Sequence, residues 1–338
     1  MIKFAVIGLD HRHVYHLIEE LLAAGASCVG YWTQTSDPLV LKGVQERFPQ
    51  IPAIEDRQAL LEDADIDLIV TAAIPSERAG IAIEAMRHGK DVLTDKPGII
   101  DFEQLALVER TVRETGKIFS ICFSERMVVP AVQTALRLVA DGAIGDVIQT
   151  LGMGPHRLNR DIRPDWFFDT SAYGGILIDI ASHQIDQFMM FTDSEDAEIV
   201  HATVGHFGPN TPESFQDFGE ITLHSPSRSR RGYIRVDWFT PDGLPTWGDG
   251  RLFVLGTEGS LELRKYVDLA GRSGTDHLYL ADKEGTRYIN CQHEPLVFFR
   301  QFIDDVRNRS ETAMRQSHVF TVSRLALEAD AFARGATQ

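Results

Sequence analysis

Three cysteines in 338 residues, Cys28, Cys122 and Cys291, are too few and too far apart for a disulfide framework, and none falls in a CxxC or Cys/His metal-binding spacing. They read as thiols of a reducing compartment. With no secretory core at the amino terminus, the expected location is the cytoplasm. Basic clusters are equally scarce. The chain has 33 Lys and Arg against 49 Asp and Glu, a formal charge of −16 with no cationic run to offset it, which argues against nucleic-acid or anionic-lipid partners. No apolar run is long enough to cross a bilayer. Glycine is missing where it would be most informative: in FAVIGLDHRH an apolar strand meets Gly8, but Asp10 and His13 stand where a dinucleotide-binding GxGxxG loop has its second and third glycines.

What is present is an alternation of short apolar runs with amphipathic segments. IKFAVIG, SCVGYW, IDLIVTAAIP, DVLTDKP and KIFSICF read as strands. VYHLIEELLAAG, ERAGIAIEAMRHG and FEQLALVERTVRETG read as helices closed by Gly25, Gly89 and Gly116. Continuous apolar strands between helices predict a doubly wound parallel sheet over residues 1–123. From 124 to 338 a run of strand-like stretches with intervening turns predicts an α+β domain with an open, mostly antiparallel sheet, interrupted by a helix around GGILIDIASHQIDQF and closed by two more helices.

Three constellations carry chemistry. In the first, Gly8 makes the turn after the first strand. Asp10 either caps the following helix, competing with phosphate for its amino terminus, or belongs to a turn that binds nothing. His11, Arg12 and His16 offer side-chain donors to phosphate in place of the lost glycine contacts. His11 and His13 also form an HxH pair, but no third ligand matches it and no metal is expected. At the end of the second strand stand Thr33, Gln34, Thr35 and Ser36, neutral groups that accept either NAD or NADP. The second constellation is GKDVLTDKPG, which places Lys96 at the carboxyl end of a parallel strand, where open α/β sheets bind ligands, with Pro97 a candidate cis residue. In the third, read as one helix, Asp179, His183 and Asp186 share a face, so carboxylates flank an imidazole as a general acid/base requires.

The combination resembles the Gfo/Idh/MocA family of NAD(P)-dependent oxidoreductases. AMRHGKDVLTDKP is similar to the family's Gly-Lys-His-Val…Glu-Lys-Pro signature, CFSERMVVPAV to its Phe-x-x-Arg…Pro segment, and GGILIDIASHQID to its Gly-Gly…Asp-x-Gly-x-His-x-x-Asp signature. Asp95 replaces the usual Glu, Ala181 a glycine, and the phosphate loop lacks two glycines. The resemblance implies catalytic roles for Lys96, Asp179 and His183. It implies NAD or NADP contacts from Gly8, Asp10, His11, Arg12, His13, Thr33, Gln34, Ala73, Pro75, Lys96 and Pro97. It further implies a homodimer or homotetramer formed through the second domain's sheet.

Substrate contacts are expected from GPHRLNRDIRPDWFFD and VDWFTPDGLPTWGDG together with the signature residues, namely Arg126, His156, Arg157, Arg163, Trp166, Asp179, His183 and Trp238. Aromatic faces cover ring C–H groups while polar side chains bind hydroxyls. Arg157, Arg160 and Arg163 would alternatively receive a carboxylate. The expected activity is hydride transfer between a nicotinamide cofactor and a secondary alcohol of a sugar, cyclitol or related polyol. The alternatives are a family member without net redox activity, serving as a sugar- or nucleotide-binding subunit, or a hydrolase or lyase that uses transient redox.

Overall fold

The computed structural model describes residues 1–35 and 37–335, so Ser36 lies outside the described residues. Two compact units divide the chain. The first comprises 1–122, 164–174 and 297–323; the second comprises 123–163, 175–296 and 324–338. The break after Cys122 falls one residue before the 123/124 boundary read from the sequence. The two later segments that rejoin the first unit have no counterpart in that reading, because their helical patterns carry no mark of the layer they join.

In the first unit β1 (Lys3–Ile7), α1 (Val14–Ala23), β2 (Ser27–Trp32), α2 (Pro38–Arg47), α3 (Arg57–Glu62), β3 (Leu68–Thr71), α4 (Pro75–Arg87), β4 (Asp91–Asp95), α5 (Phe102–Thr115) and β5 (Phe119–Cys122) follow in order. The strands form one parallel sheet ordered β2-β1-β3-β4-β5. Every residue of β3, β4 and β5 is buried, which is why these strands show no alternation, with Asp91, Thr94, Asp95 and Ser120 buried among their apolar residues.

The second unit opens with α6 (Ser124–Met127), α7 (Pro130–Ala140) and β6 (Val147–Pro155). The four-residue α8 (Thr170–Tyr173) returns to the first unit. α9 (Ile176–Asp179), α10 (Ala181–Thr192), β7 (Glu198–Gly205), β8 (Phe218–Ser225), β9 (Arg230–Asp237), β10 (Arg251–Gly256), β11 (Gly259–Arg264), β12 (His277–Asp282) and β13 (Gly285–Asn290) continue the second unit. α11 (Phe298–Asn308) belongs to the first, and α12 (Gln316–Ala333) runs through the boundary.

The eight strands lie in the order β13-β12-β11-β10-β6-β9-β8-β7, with only β6 and β9 parallel. Burial alternates along β8 and β10. One face packs against α7 and α10 around Val132, Ala135, Leu252, Val254, Leu261 and Leu278. The opposite face leaves Ile148, Leu151 and Leu255 exposed.

Candidate active site

The β1–α1 turn depends on Gly8, whose φ of +87° favours glycine and whose hypothetical Cβ would lie 2.5 Å from that of Ala73. Past it, the backbone N–H groups of Asp10 and His11 both donate to the Ala72 carbonyl at 2.9 Å. The Asp10 carboxyl does not cap α1. The N-cap is His13, without a side-chain hydrogen bond, and the first turn holds no acidic residue. Asp10 instead hydrogen-bonds the Thr35 side chain and the Ile74 backbone, and burial raises its pKa. The helix terminus is therefore not opposed by a local carboxylate, and the expected competition between Asp10 and phosphate for it does not arise.

His11 and His13 face a common partner. Their Nδ1 atoms lie 3.0 Å and 2.9 Å from Oδ2 and Oδ1 of Asp95, which is fully buried at the end of β4. Burial lowers the His11 pKa to about 3, with the neighbouring His13 adding to the effect, so the ring is neutral near pH 7. His11 Nδ1 also accepts the His13 N–H at 3.5 Å. Burial raises the Asp95 pKa, but the charges of His13 and Arg78 and the imidazole hydrogen bonds outweigh it and hold the group well below the usual carboxylate range.

Arg78 is the organising group that sequence reasoning missed. Buried in the first turns of α4, it donates from Nε to Ala73 O at 2.7 Å and from Nη1 to Lys96 O at 2.5 Å and Pro97 O at 3.1 Å. Its Nη2 lies 3.2 Å from Asp95. It thus fixes the backbone that carries Lys96, whose peptide bond to Pro97 is cis. A lone arginine in an amphipathic pattern gives no sign of this.

His11, His13 and Asp95 also offer three ligand atoms within 4.8 Å, a third member that the HxH pair lacked in sequence. The Arg78 guanidinium lies 3.2 Å from the same carboxylate and competes for it. The His16 ring lies 5.3 Å from that of His13, its Nε2 lies 3.8 Å from Cys122 Sγ, and burial, with His13 adding to it, lowers its pKa to about 4.

For a dinucleotide, the unit supplies a tight Gly8 turn, an uncapped helix amino terminus, the cation of Arg12 and the polar end of β2. Thr33 there accepts from the Thr35 N–H at 3.0 Å, and Gln34 lies between them. Ala73 and Pro75 flank Ile74 at the start of α4. These groups fit an anionic cofactor.

Gly174, the last residue of the segment in the first unit, and Gly175, the first of the next segment of the second, adopt φ of +94° and +100° and turn the chain into α9. The single helix expected over Asp179, His183 and Asp186 is broken at Ile180: α9 ends at Asp179, α10 begins at Ala181, and the His183 N–H bonds the Ile180 carbonyl in a tight i→i−3 turn. Asp179 and His183 are both buried. Asp186 is paired bidentately with Arg126, Nε–Oδ2 2.7 Å and Nη2–Oδ1 2.8 Å, joining α6 to α10. Arg126 is therefore a strut between helices rather than the expected substrate ligand.

A second group missed in sequence is Glu125, whose Oε2 accepts from Lys265 Nζ at 2.6 Å and Gln184 Nε2 at 3.0 Å. Its partners lie 59 and 140 residues away, so no local spacing marks it.

The expected aromatic site is partly assembled. The His156 ring lies 5.3 Å from Trp238 and 4.6 Å from Trp247, Trp247 lies 4.4 Å from Tyr266, and the Arg163 guanidinium sits 5.3 Å over Trp238. Arg163 also donates to Leu158 O. Arg157 Nη2 donates to the carbonyls of Pro241 and Leu244, tying two loops together, and its Nε lies 3.6 Å from the Asp242 carboxylate. Trp166 belongs to the first unit, beside Phe167. Among the described residues no helix is long and apolar enough to cross a membrane.

Residues 2–123 match the profile described as oxidoreductase family, NAD-binding Rossmann fold, and residues 132–262 match the GFO/IDH/MocA C-terminal domain. A protein from Erwinia carotovora atroseptica SCRI1043, solved as a candidate oxidoreductase, is 43% identical with a TM-score of 0.95, over 98% of this chain and 99% of that one. The scyllo-inositol 2-dehydrogenase (NAD(+)) of Bacillus subtilis is 27% identical over 91% of this chain and 86% of its own length. Levoglucosan dehydrogenase, solved with NADH and levoglucosan, shares the fold at 19% identity and a TM-score of 0.80, over 99% of this chain and 97% of that one.

Proposed function

The chain belongs to the GFO/IDH/MocA family of NAD-binding oxidoreductases, and from that premise we propose that it oxidises a secondary alcohol of a neutral sugar, cyclitol or related polyol, or reduces the corresponding ketone. The nicotinamide cofactor, when bound, supplies the hydride acceptor or donor. Lys96 stabilises negative charge on the reacting oxygen, and His183 accepts the hydroxyl proton. Asp179, just ahead of the break before His183, orients the imidazole or a substrate hydroxyl. His156, Trp238 and Trp247 offer apolar ring faces beside polar edges, the combination that suits a polyhydroxylated ring.

The observation that carries this reading is the anchoring of Lys96: Arg78 holds both the Lys96 and Pro97 carbonyls in a water-free setting. Such rigidity is what a charge-stabilising group needs. Arg157 and Arg163, two of the three arginines that would receive a carboxylate, donate to backbone carbonyls, which supports a neutral substrate over an acidic one, with Arg160 the remaining candidate for an acidic group. The open face of the eight-stranded sheet, with exposed Ile148, Leu151 and Leu255, is the surface through which a homo-oligomer would form.

The test is to titrate the protein with NADH and NADPH by fluorescence and then assay neutral and acidic polyols with whichever binds. Lys96→Met is expected to lower kcat by at least about a hundredfold with cofactor binding retained, the scale of one lost charge-stabilising group. Normal turnover in that variant would overturn the assignment.

A further inference from the structure

We propose that Glu125 is a positioning residue for His183, a fixed and buried negative charge that favours the protonated imidazole and so strengthens His183 as a proton acceptor. The inference rests on the proton role of His183 and adds a group that role does not itself require.

Glu125 sits in α6 with 3% of its surface exposed, and Lys265, just past β11, with 1%. Glu125 Oε2 takes both hydrogen bonds, from Lys265 and Gln184, while no hydrogen bond reaches Oε1. A carboxylate so buried would protonate if it were alone. Burial does raise its pKa, but Lys265, then His183 and His156, lower it to about 2, so the charge persists across the neutral range. Coulombic interaction is mutual, and the hydrogen bond from Gln184, the residue after His183, ties the Glu125 carboxylate to the turn that carries the imidazole, so a fixed negative charge there raises the imidazole's affinity for a proton.

The geometry keeps this charge in place. Gln184 follows His183 on α10 and lies against Gly152 and Gly154 of β6, where a Cβ would come within 3.0 Å and 2.7 Å of its side chain. The amide is confined there, and Glu125 is tied through it to the helical turn that carries His183. Phe123, two residues before Glu125, meets the His183 ring edge-on at 6.5 Å.

Within the second unit Lys265, His156 and Tyr266 act on Glu125 alongside His183, while Asp179 ends α9 just before the turn that carries His183 and the Arg126–Asp186 pair joins α6 to α10. Asp186 is neutralised by Arg126. Burial, then Glu125, holds the Tyr266 phenol far above its ordinary range, and it stays uncharged. Asp179 acts in the same direction as Glu125. Lys265 and a protonated His156 act against it. The effect of Glu125 must therefore be read from its own substitution.

The experiment follows the His183 Cε1–H signal by NMR against pH in the full chain without cofactor, the signal being assigned by its loss in His183→Asn. In Glu125→Gln the titration is expected to move to lower pH by about one unit, a tenfold loss of proton affinity, because the carboxylate is gone and the Lys265 ammonium is left uncompensated. In Glu125→Gln/Lys265→Met the move is expected in the same direction but smaller. An unmoved titration in the single variant, or a double variant displaced as far as the single, overturns the proposal; a general loosening of the core would give the latter.

If Glu125→Gln does not fold, the double variant, with two uncharged side chains of similar size, carries the test alone, and an unmoved titration in it is the overturning result. The acid limb of kcat/KM for alcohol oxidation is expected to shift with the NMR titration. Since the NMR measurement needs no turnover, a shifted titration in a protein without dehydrogenase activity refutes the proposed function and leaves the role of Glu125 standing. An active dehydrogenase with an unmoved titration does the reverse.

Discussion

His11 Nδ1 lies 3.0 Å from Asp95 Oδ2, with the carboxylate buried and the imidazole neutral. The pairing has a consequence for acid stability. His11 and His16 titrate at about 3 and about 4 in the folded chain, against 6.5 when unfolded, because burial disfavours their charged forms. Between about pH 6.5 and 4 the unfolded state binds more protons, so stability falls as the pH drops, by up to about 1.4 kcal/mol per pH unit for each group. Asp95 acts in a different window. Its pKa is depressed, so its contribution is present above the ordinary carboxylate range and is lost only on stronger acidification. Urea unfolding across pH 7 to 4 is expected to show this slope in the parent chain, and a flatter one in His11→Gln/His16→Gln. Equal slopes in the two proteins would refute the burial account.

Asp10 is expected to help the loop rather than oppose the cofactor, because its carboxyl joins Thr35, past β2, to Ile74, before α4, instead of capping α1. Asp10→Gly should therefore weaken NADH binding about fivefold, the scale of one lost hydrogen bond of roughly 1 kcal/mol. Asp10→Asn, which keeps an acceptor oxygen, should weaken it less. Calorimetry decides the matter, and tighter binding by the glycine variant would show the carboxylate to be a repulsive element after all.

The contrast between these loops and the sheet beneath them shows what was legible in the sequence. β3, β4 and β5 declare themselves by apolar runs without alternation, because both faces of these strands are covered, although Asp91, Thr94, Asp95 and Ser120 are buried within them. Lys96, the cis Pro97 and the pair Asp179 and His183 were found through signatures at fixed local spacing. The break at Ile180 was invisible, since an apolar residue suits either one helix or two short ones. Arg78, Glu125 and Lys265 were invisible for a different reason: a buried ion declares its role through a partner, and their partners Asp95, Lys265 and Glu125 come from other strands and helices. The same long-range chemistry pairs Arg126 with Asp186 and ties Arg157 to the carbonyls of Pro241 and Leu244.

Gly8 provides a packing test. Gly8→Ala puts a methyl group 2.5 Å from the Ala73 Cβ and requires a non-glycine residue at φ +87°. The conformational part alone costs about 1–2 kcal/mol, and the clash adds to it. Adding Ala73→Gly should relieve the clash but not the backbone penalty, so stability returns only in part. Thermal unfolding of the single and double variants measures both contributions; full recovery would mean that the backbone at residue 8 tolerates a side chain.

Arg126→Met should act on folding rather than on substrate affinity. Its guanidinium holds Asp186 through two hydrogen bonds in a region closed to water, and removal of one member of such a pair typically costs about 3–5 kcal/mol because the other charge is stranded. Arg126→Met/Asp186→Leu should recover most of that loss. Urea denaturation gives the energies, and KM for the polyol gives the contrast. A variant of unchanged stability with a much higher KM would return Arg126 to the substrate site.

The uncovered face of the eight-stranded sheet sets the last expectation. β6 and β10 are neighbours, and Leu151 on β6 pairs in register with Phe253 on β10, two residues before Leu255. Leu151 and Leu255 are exposed, with Ile148 exposed farther along β6. An apolar stretch on strands whose opposite face is already covered by helices has no intramolecular partner left, so association with a second copy is the way to remove it from water. Leu151→Glu/Leu255→Glu should therefore lower the mass measured by light scattering to that of a single 37.8 kDa chain, without altering the circular dichroism of the fold. A parent protein that is already monomeric at micromolar concentration, or a double variant that keeps the parent's mass, would show that this face is not the interface.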